Sequence, residues 1–271
     1  MKVPPAILAL IVYSIVKSPV GGDSLLHAFS RTELVIGELG LKKLRAATVA
    51  VLGVGGVGSF AVEALARSGI GRLVLIDKDH VDVTNINRQL PALLSTIGQA
   101  KVDVMAARIK DINESCEVIV KRIFFSKETA DDLFALQPDY VVDAIDTISA
   151  KIDLIEACFA RNIPIISSMG AANKLDPTQF CVMDLKDTTV DPIARVMRRE
   201  LKKRGITRGV KVVCSLEPPL APREEILDVI VPKDASDSLP RKAKRPPASI
   251  SFVPPVAGMI LASVVVRDLI G

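Results

Sequence analysis

The sequence predicts an α/β protein with a mostly parallel sheet, on three observations. From Thr48 onward, strand-like and helix-like segments alternate, which is the sequence pattern of a parallel sheet covered by helices. A glycine-packed turn, Gly53-Val54-Gly55-Gly56-Val57-Gly58, joins the first strand-like run to a helix-like one. Apolar residues make up 49% of the 271 residues and charged residues 24%, so the chain is able to bury a large core.

The elements follow in order. Strands are expected at Thr48–Leu52, Leu73–Asp77, Glu117–Phe124, Tyr140–Ile145 and Ile163–Ser167. Between them, Val102, Met105, Ala106 and Ile109 fall at helical spacing and form an apolar stripe, with Asn113 following. Asp153, Leu154, Ala157, Cys158 and Arg161 lie in a second helical stretch, which Asn162 and Pro164 end. After Gly170 the character shifts. Gln179–Leu185 and Val210–Leu216 read as strands flanking a basic helix, about Pro192–Arg204. This half is expected to form a meander that extends the sheet with additional strands and helices. Glu217–Pro247 reads as a loop rich in proline and charge, with a mobile segment from Pro232 to Pro247. Val256–Val266 reads as a buried closing helix, with membrane contact as the alternative.

Composition narrows the function. Aromatics are 4% with no Trp, which argues against base-stacking platforms of the single-strand type. The net charge of +4 is a weak pointer to an anionic partner. Cys116, Cys158, Cys181 and Cys214 form no C-x-x-C pair. Neither a zinc site nor a disulfide framework is expected, and a cytoplasmic setting fits best. Cys181 and Cys214 sit in apolar strand-like runs and are expected in the core. Near the start, Lys2 precedes the apolar stretch Ala6–Val16. It is shorter than the roughly twenty residues of a membrane span, and no A-x-A site follows it. A peripheral or packed helix, or a segment outside the core, is the favoured reading.

Parallel sheets bind ligands beyond the carboxyl ends of their strands. Those ends carry Gly53–Gly58, Asp77 and Asp79, Asp143 and Asp146, and Ser168–Gly170. The turn containing Gly53, Gly55, Gly56 and Gly58 lets backbone N–H groups approach a phosphate at a helix N-terminus. Asp77 is placed for a ribose hydroxyl, which fits NAD and ATP equally. Arg88 and Lys101 favour the triphosphate, because a planar guanidinium clamps phosphoryl oxygens. A strand-end carboxylate can hold Mg²⁺ while phosphates complete its shell.

The segments "RTELVIGELGLKKLRAATVAVLGVGGVGS", "LIDKDHVDVTNINRQ", "GQAKVDVM" and "VVDAIDT" resemble the E1-like ThiF/MoeB/HesA superfamily of adenylating enzymes. Further on, "ISSMGAANKLDPTQF", "DPIARVMRRELKKRGI" and "SISFVPPVAGMILA" resemble its tRNA threonylcarbamoyladenosine dehydratase branch. The resemblance runs from about Phe29 to the end. It implies a Rossmann-like ATP-binding region over residues 29–170. A C-terminal extension of the same globular domain follows over 171–271, and an apolar extension, 1–28, lies outside the core. It also implies acyl-adenylation with ATP and Mg²⁺. The four glycines would cradle the phosphates, and Asp77 would bind ribose with Asp79 alongside. Asn85, Arg88, Gln89 and Lys101 would line the triphosphate, and Asp146 would hold the metal. Thr147 stands where the family pattern has Asn. Arg31 matches an arginine that enters a neighbouring subunit's site, which implies a homodimer.

With the carboxylate itself the nucleophile, no Ser-His-Asp set is needed, and His27 and His80 read as ordinary polar residues. Arg195, Arg198, Arg199, Lys202, Lys203 and Arg204, then Arg208 and Lys211, crowd one stretch, and Arg241, Lys242, Lys244 and Arg245 form a second cluster. Such density points to nucleic-acid phosphates. The expected function is dehydration of threonylcarbamoyladenosine in tRNA to its cyclic form. The alternatives are adenylation of a carrier-protein C-terminus, and a non-catalytic ATP-binding scaffold working with a sulfurtransferase.

Overall fold

The computed structural model describes residues 26–226 and 246–271. The apolar stretch Ala6–Val16, the second basic cluster and all but the last two residues of the segment Pro232–Pro247 lie outside the described residues.

Among the described residues, seven strands form one sheet in the order β3-β2-β1-β4-β5-β7-β6. They are β1 Thr48–Leu52, β2 Arg72–Ile76, β3 Glu117–Lys121, β4 Tyr140–Asp143, β5 Ile165–Ser168, β6 Phe180–Asp184 and β7 Lys211–Ser215. All neighbouring pairs are parallel except β6 with β7. β1 is buried at every position, as its unbroken apolar run requires of a central parallel strand. The α-helices of the described residues are α1 Ser30–Ala46, α2 Gly58–Ser68, α3 Lys101–Ile112, α4 Ala130–Phe134, α5 Ile148–Ala160, α6 Pro192–Lys203 and α7 Val253–Ile270. They cover both faces. One apolar cluster packs α2, α3 and α7 on the sheet, and the other packs α4, α5 and α6 on the opposite face.

The strand-level reading needs correction at several points. β2 ends at Ile76 and β4 at Asp143, so Asp77 and Ile145 lie beyond their strands. β3 stops at Lys121, because Ile123 and Phe124 turn away to line a cleft and Phe125 is buried. β5 begins after Pro164, which has no N–H to give the ladder. The C-terminal half is not a meander. No helix crosses between β5 and β6, so β6 runs antiparallel. β6 and β7 are joined through α6, and β7 inserts parallel to β5. Of the cysteine pair, Cys214 is buried as expected and Cys181 only partly.

α7 is longer than the closing helix read from sequence. By length and composition alone it could cross a membrane, and 44% of it is buried in the fold. Its Gly258 lies where a Cβ would stand 2.2 Å from the Val57 carbonyl oxygen, so α7 presses directly on the start of α2. α6 begins with Pro192 after Asp191, whose carboxylate accepts the Ala194 N–H at 2.8 Å. That is a well-capped start.

α2 and α3 are tied by Glu63. Its carboxylate accepts from Arg108 Nε at 2.7 Å and Nη2 at 2.9 Å, and from Arg67 Nε at 2.8 Å. Burial pushes the carboxyl up, but the two guanidiniums outweigh it and hold Glu63 below the usual carboxylate range. A depressed carboxylate stabilises the fold fully above its unfolded value, about 4.3 for Glu, and less as pH falls through the folded value. Glu63→Gln is therefore expected to lower Tm at pH 7, with the gap to the unsubstituted protein narrowing below about pH 4. Circular dichroism melts across pH 3–7 check it, and a pH-independent gap would contradict the assignment.

Candidate functional site

The sheet order reverses between β1, which pairs with β2, and β4, which pairs with β5. A cleft of about 930 Å³ opens there, beyond the carboxyl ends of the strands. Gly53, at φ 85°, leaves β1 so close to β4 that a Cβ would stand 2.5 Å from the Ala144 carbonyl oxygen. A Cβ on Gly58 would stand 1.8 Å from the Gly53 carbonyl oxygen. Both positions exclude any side chain. The turn then enters α2, which has no side-chain cap at its N-terminus; the Ser59 N–H donates to the Gly55 carbonyl at 3.0 Å, and the remaining first-turn N–H groups suit an anion.

Asp77 fixes this turn from the side. One carboxylate oxygen accepts the Val54 N–H at 2.7 Å and the other the Asp79 N–H at 2.8 Å. A carboxylate has lone pairs for two more donors, so ribose hydroxyls still fit. Asp79 holds Lys101 Nζ at 3.2 Å, and the Lys101 N–H donates to the Asp79 carbonyl at 3.1 Å. The Lys101 side chain is only 7% exposed. Asn85 is buried. Its Oδ1 accepts the Asp82 N–H at 3.1 Å, while its Nδ2 makes only a 3.4 Å contact with Thr84 Oγ1.

Arg88 lies over Gly56. Its Nη1 donates to the Thr84 carbonyl at 2.7 Å and to Asn87 Oδ1 at 2.9 Å, and no carboxylate pairs with it among the described residues. Burial works against its charge and lowers its pKa, yet a guanidinium stays protonated. The result is a partly desolvated, unneutralised cation beside a phosphate-shaped turn. Gln89 Oε1 and Ser249 Oγ are the buried side-chain oxygens without a partner among the described residues, and both residues line the cleft. Orphaned polar atoms in a cradle that excludes side chains fit a nucleotide.

Asp146 is exposed at the cleft, with Thr147 Oγ1 donating to its Oδ1 at 3.2 Å. Beneath it lies a pairing the sequence did not disclose, of the strand-end Asp143 with Lys151. Asp143 is fully buried and accepts from Lys151 Nζ at 3.0 Å, from Ser167 Oγ at 2.5 Å and from the Ile145 N–H at 3.1 Å. Lys151 Nζ also donates to the Ile145 carbonyl at 3.0 Å. The four bonds lock residues 143–146, and with them the placement of Asp146. Removing one partner of such a pair strands a buried charge, at about 3–5 kcal/mol. Lys78 and Phe124, 5.1 Å apart from ammonium to ring centroid, form another wall absent from the sequence reading.

Of the residues expected at the site, Gly53, Gly55, Gly56, Asp77, Asp79, Asn85, Arg88, Gln89, Lys101 and Asp146 line one cleft. Gly58 stands just behind it. Arg31 is exposed on α1, outside the cleft of its own chain.

The family pattern of the ThiF family matches residues 29–271. The chain belongs to the ThiF family. It is 56% identical over 246 residues to the tRNA threonylcarbamoyladenosine dehydratase of Bacillus subtilis (strain 168), covering 91% of this chain and 96% of that protein. It superposes on the Escherichia coli tRNA N6-threonylcarbamoyladenosine dehydratase, TcdA, in complex with ATP, with TM-score 0.79 and 34% identity over 92% of this chain and 96% of that one. The AMP complex of the same enzyme gives TM-score 0.79 and 36% identity, over 93% and 97%.

In this ThiF-family cleft Gly53 is constrained twice, by its positive φ and by its approach to β4. Gly53→Ala combines a positive φ, costing about 1–3 kcal/mol, with a clash into β4. The expected outcome is a lower Tm and at least about tenfold weaker ATP binding by calorimetry, with the far-ultraviolet spectrum retained. Unchanged ATP affinity would show that the turn does not hold the nucleotide.

Proposed function

We propose that this chain is an ATP-dependent tRNA threonylcarbamoyladenosine dehydratase. The observation that carries the reading is Arg88, a partly buried cation without a carboxylate partner among the described residues, set over the glycine turn. A hydride-transfer enzyme has little use for such a charge at this position, whereas a triphosphate carries several phosphoryl oxygens for it to clamp. The 56% identity with the Bacillus dehydratase supports the substrate.

The threonyl carboxylate, ionised at neutral pH, attacks the α-phosphorus of ATP. The bond to pyrophosphate breaks and an acyl-adenylate forms. A carbamoyl nitrogen of the same modification then attacks the activated carbonyl carbon and loses its proton. AMP leaves and the ring closes. Arg88 and Lys101 hold the developing negative charge on the phosphoryl oxygens with cations already in place, so little reorganisation accompanies the reaction. The glycine turn and the start of α2 offer backbone donors to the same oxygens. Asp77 orients the ribose. Asp146, held by the Asp143–Lys151 lock, would bind Mg²⁺ through one or two oxygens, and the ion would supply further charge neutralisation. The second step asks mainly for positioning, because nucleophile and carbonyl belong to one substrate.

Arg31 extends the proposal to a homodimer. It is exposed and outside its own cleft, as expected of a residue that completes a neighbour's site. The same helix exposes Leu34 at 88% and Val35 at 84%, an apolar surface suited to contact with a second copy.

Purified protein is expected to release AMP with tRNA carrying the threonylcarbamoyl group and not with the same tRNA lacking it. Arg88→Ala and Asp146→Ala should each cost on the order of 10²–10³-fold in rate while folding normally. Equal release with both tRNAs, or release stimulated by a small protein ending in Gly-Gly, would overturn the substrate assignment.

Arg31→Ala is expected to be nearly inactive alone. Mixed with Asp146→Ala subunits, it should regain part of the activity, because one site of each mixed dimer receives both groups. No recovery on mixing, checked with sedimentation to establish that mixed dimers form, would remove Arg31 from the site.

A further inference from the structure

We infer that the exposed face of α6 is a track for the phosphate backbone of tRNA, ending in a second anion pocket at the end of the sheet opposite the cleft. The inference rests on the tRNA reading above and specifies where the RNA runs.

The direction of α6 sets the track. At its start, Ile193 lines the ATP cleft, and Asp191 accepts the Gly170 N–H at 3.0 Å. At its far end, Lys202 lies beside Val210, just before β7, and Asp184, the carboxyl end of the antiparallel β6. From Ile193 to Lys202 the helix advances about 14 Å. It therefore links the chemistry to the far side of the sheet.

Charge pairing shows which cations remain available. Arg199 and Lys203 both bind Glu200, and Arg204 binds Asp153 and Glu156. Lys211 binds Asp268. Half of the basic stretch read from sequence is thus neutralised within the fold. Arg195, Arg198 and Lys202 are not paired with carboxylates among the described residues, and at spacings of three and four they share one face.

That face leads into a pocket of about 320 Å³ lined by Lys186, Arg198, Lys202 and Arg208. Arg198 is half-buried there, with Nη1 donating to the Thr188 carbonyl at 2.7 Å. The rest of its guanidinium fork offers donors without a carboxylate to meet them. The pocket's carboxylate, Asp184, is occupied by the Gly209 N–H at 2.6 Å and the Lys186 N–H at 3.0 Å. Lys186 also meets Asp187 at 2.8 Å, an exposed pair that screens weakly. Three cations without a carboxylate partner among the described residues, Arg198, Lys202 and Arg208, beside one committed carboxylate make an anion site. A phosphodiester is the anion that a strand entering at the cleft would bring along α6.

The test is tRNA affinity against salt. Lys202→Gln/Arg208→Gln alters two exposed side chains and spares the fold. Its dissociation constant for tRNA, with and without the threonylcarbamoyl group, is compared with that of the unsubstituted protein across salt concentration. The slope of log K against log salt is expected to fall by about 0.7–0.9 for each phosphate that is no longer neutralised, with the KM for ATP unchanged. Arg199→Gln/Lys203→Gln, whose cations are already paired with Glu200, is expected to change the slope less. Equal slopes for all three proteins would overturn the track. Saturable binding of inorganic phosphate at the pocket with an unaltered tRNA slope would make it a small-anion site and overturn the RNA assignment. Because the readout is binding to both tRNAs, it stands apart from whether AMP is released.

Discussion

The closeness with which the chain leaving β1 passes the chain leaving β4 governs the site. The Gly53 N–H donates to the Ile76 carbonyl at 2.9 Å, and the Ala144 N–H to the Leu52 carbonyl at 2.8 Å. The glycine turn is thereby stitched to β2 on one side and β4 on the other. Gly58 and Gly258 then let α2 and α7 close over it with no room for a side chain. A phosphate-binding turn needs backbone N–H groups aimed at one point. Here the aim is set by the packed elements around the turn rather than by the turn's own preferences, so the cradle exists before a ligand arrives.

Electrostatics follow from that geometry. Several charges held in the interior are neutralised where they stand, as Glu63 is by two arginines and Asp143 by Lys151. Arg88 has no carboxylate partner among the described residues, although it is partly desolvated. A fold does not ordinarily keep such a group, because removing charge from water without a partner is costly. In the proposed reaction an anionic substrate would offset that cost on binding, and in the transition state the match would improve as charge builds on the phosphoryl oxygens. The same contrast, paired against unpaired, separates the two halves of the basic helix.

Much of this was legible in the sequence, for identifiable reasons. Buried parallel strands read as unbroken apolar runs, so β1 and β4 stand out. Glycines that admit no Cβ and charges at strand ends also leave a mark, and ten of the expected site residues line one cleft. Other features leave none. Ile123 and Phe124 look like the continuation of β3 but turn into the cleft wall. Lys151 reads as a surface charge in a helix, yet its side chain is 2% exposed because Asp143 lies within reach from β4. Ser249 sits in a proline-rich approach to α7 that carries no periodic signal. The strand direction of β6 depends on the absence of a crossover helix after β5, which a local pattern of apolar residues does not encode.

The lock beneath Asp146 shows why such hidden residues matter to chemistry. Asp143 and Lys151 are committed to each other at the floor of the cleft. They bond residues 143–146 from below, through the Ile145 N–H on one side and its carbonyl on the other. A buried ion pair is weak support for stability in itself, since desolvating both charges cancels much of their attraction. Its bonds are directional, however, and two of them end on the backbone of the loop that carries Asp146. The pair therefore acts on position more than on stability. In the proposed reaction, a carboxylate that is to meet a metal and a phosphate would gain from a loop that cannot drift, and in this chain that rigidity comes from two charges already spent on each other.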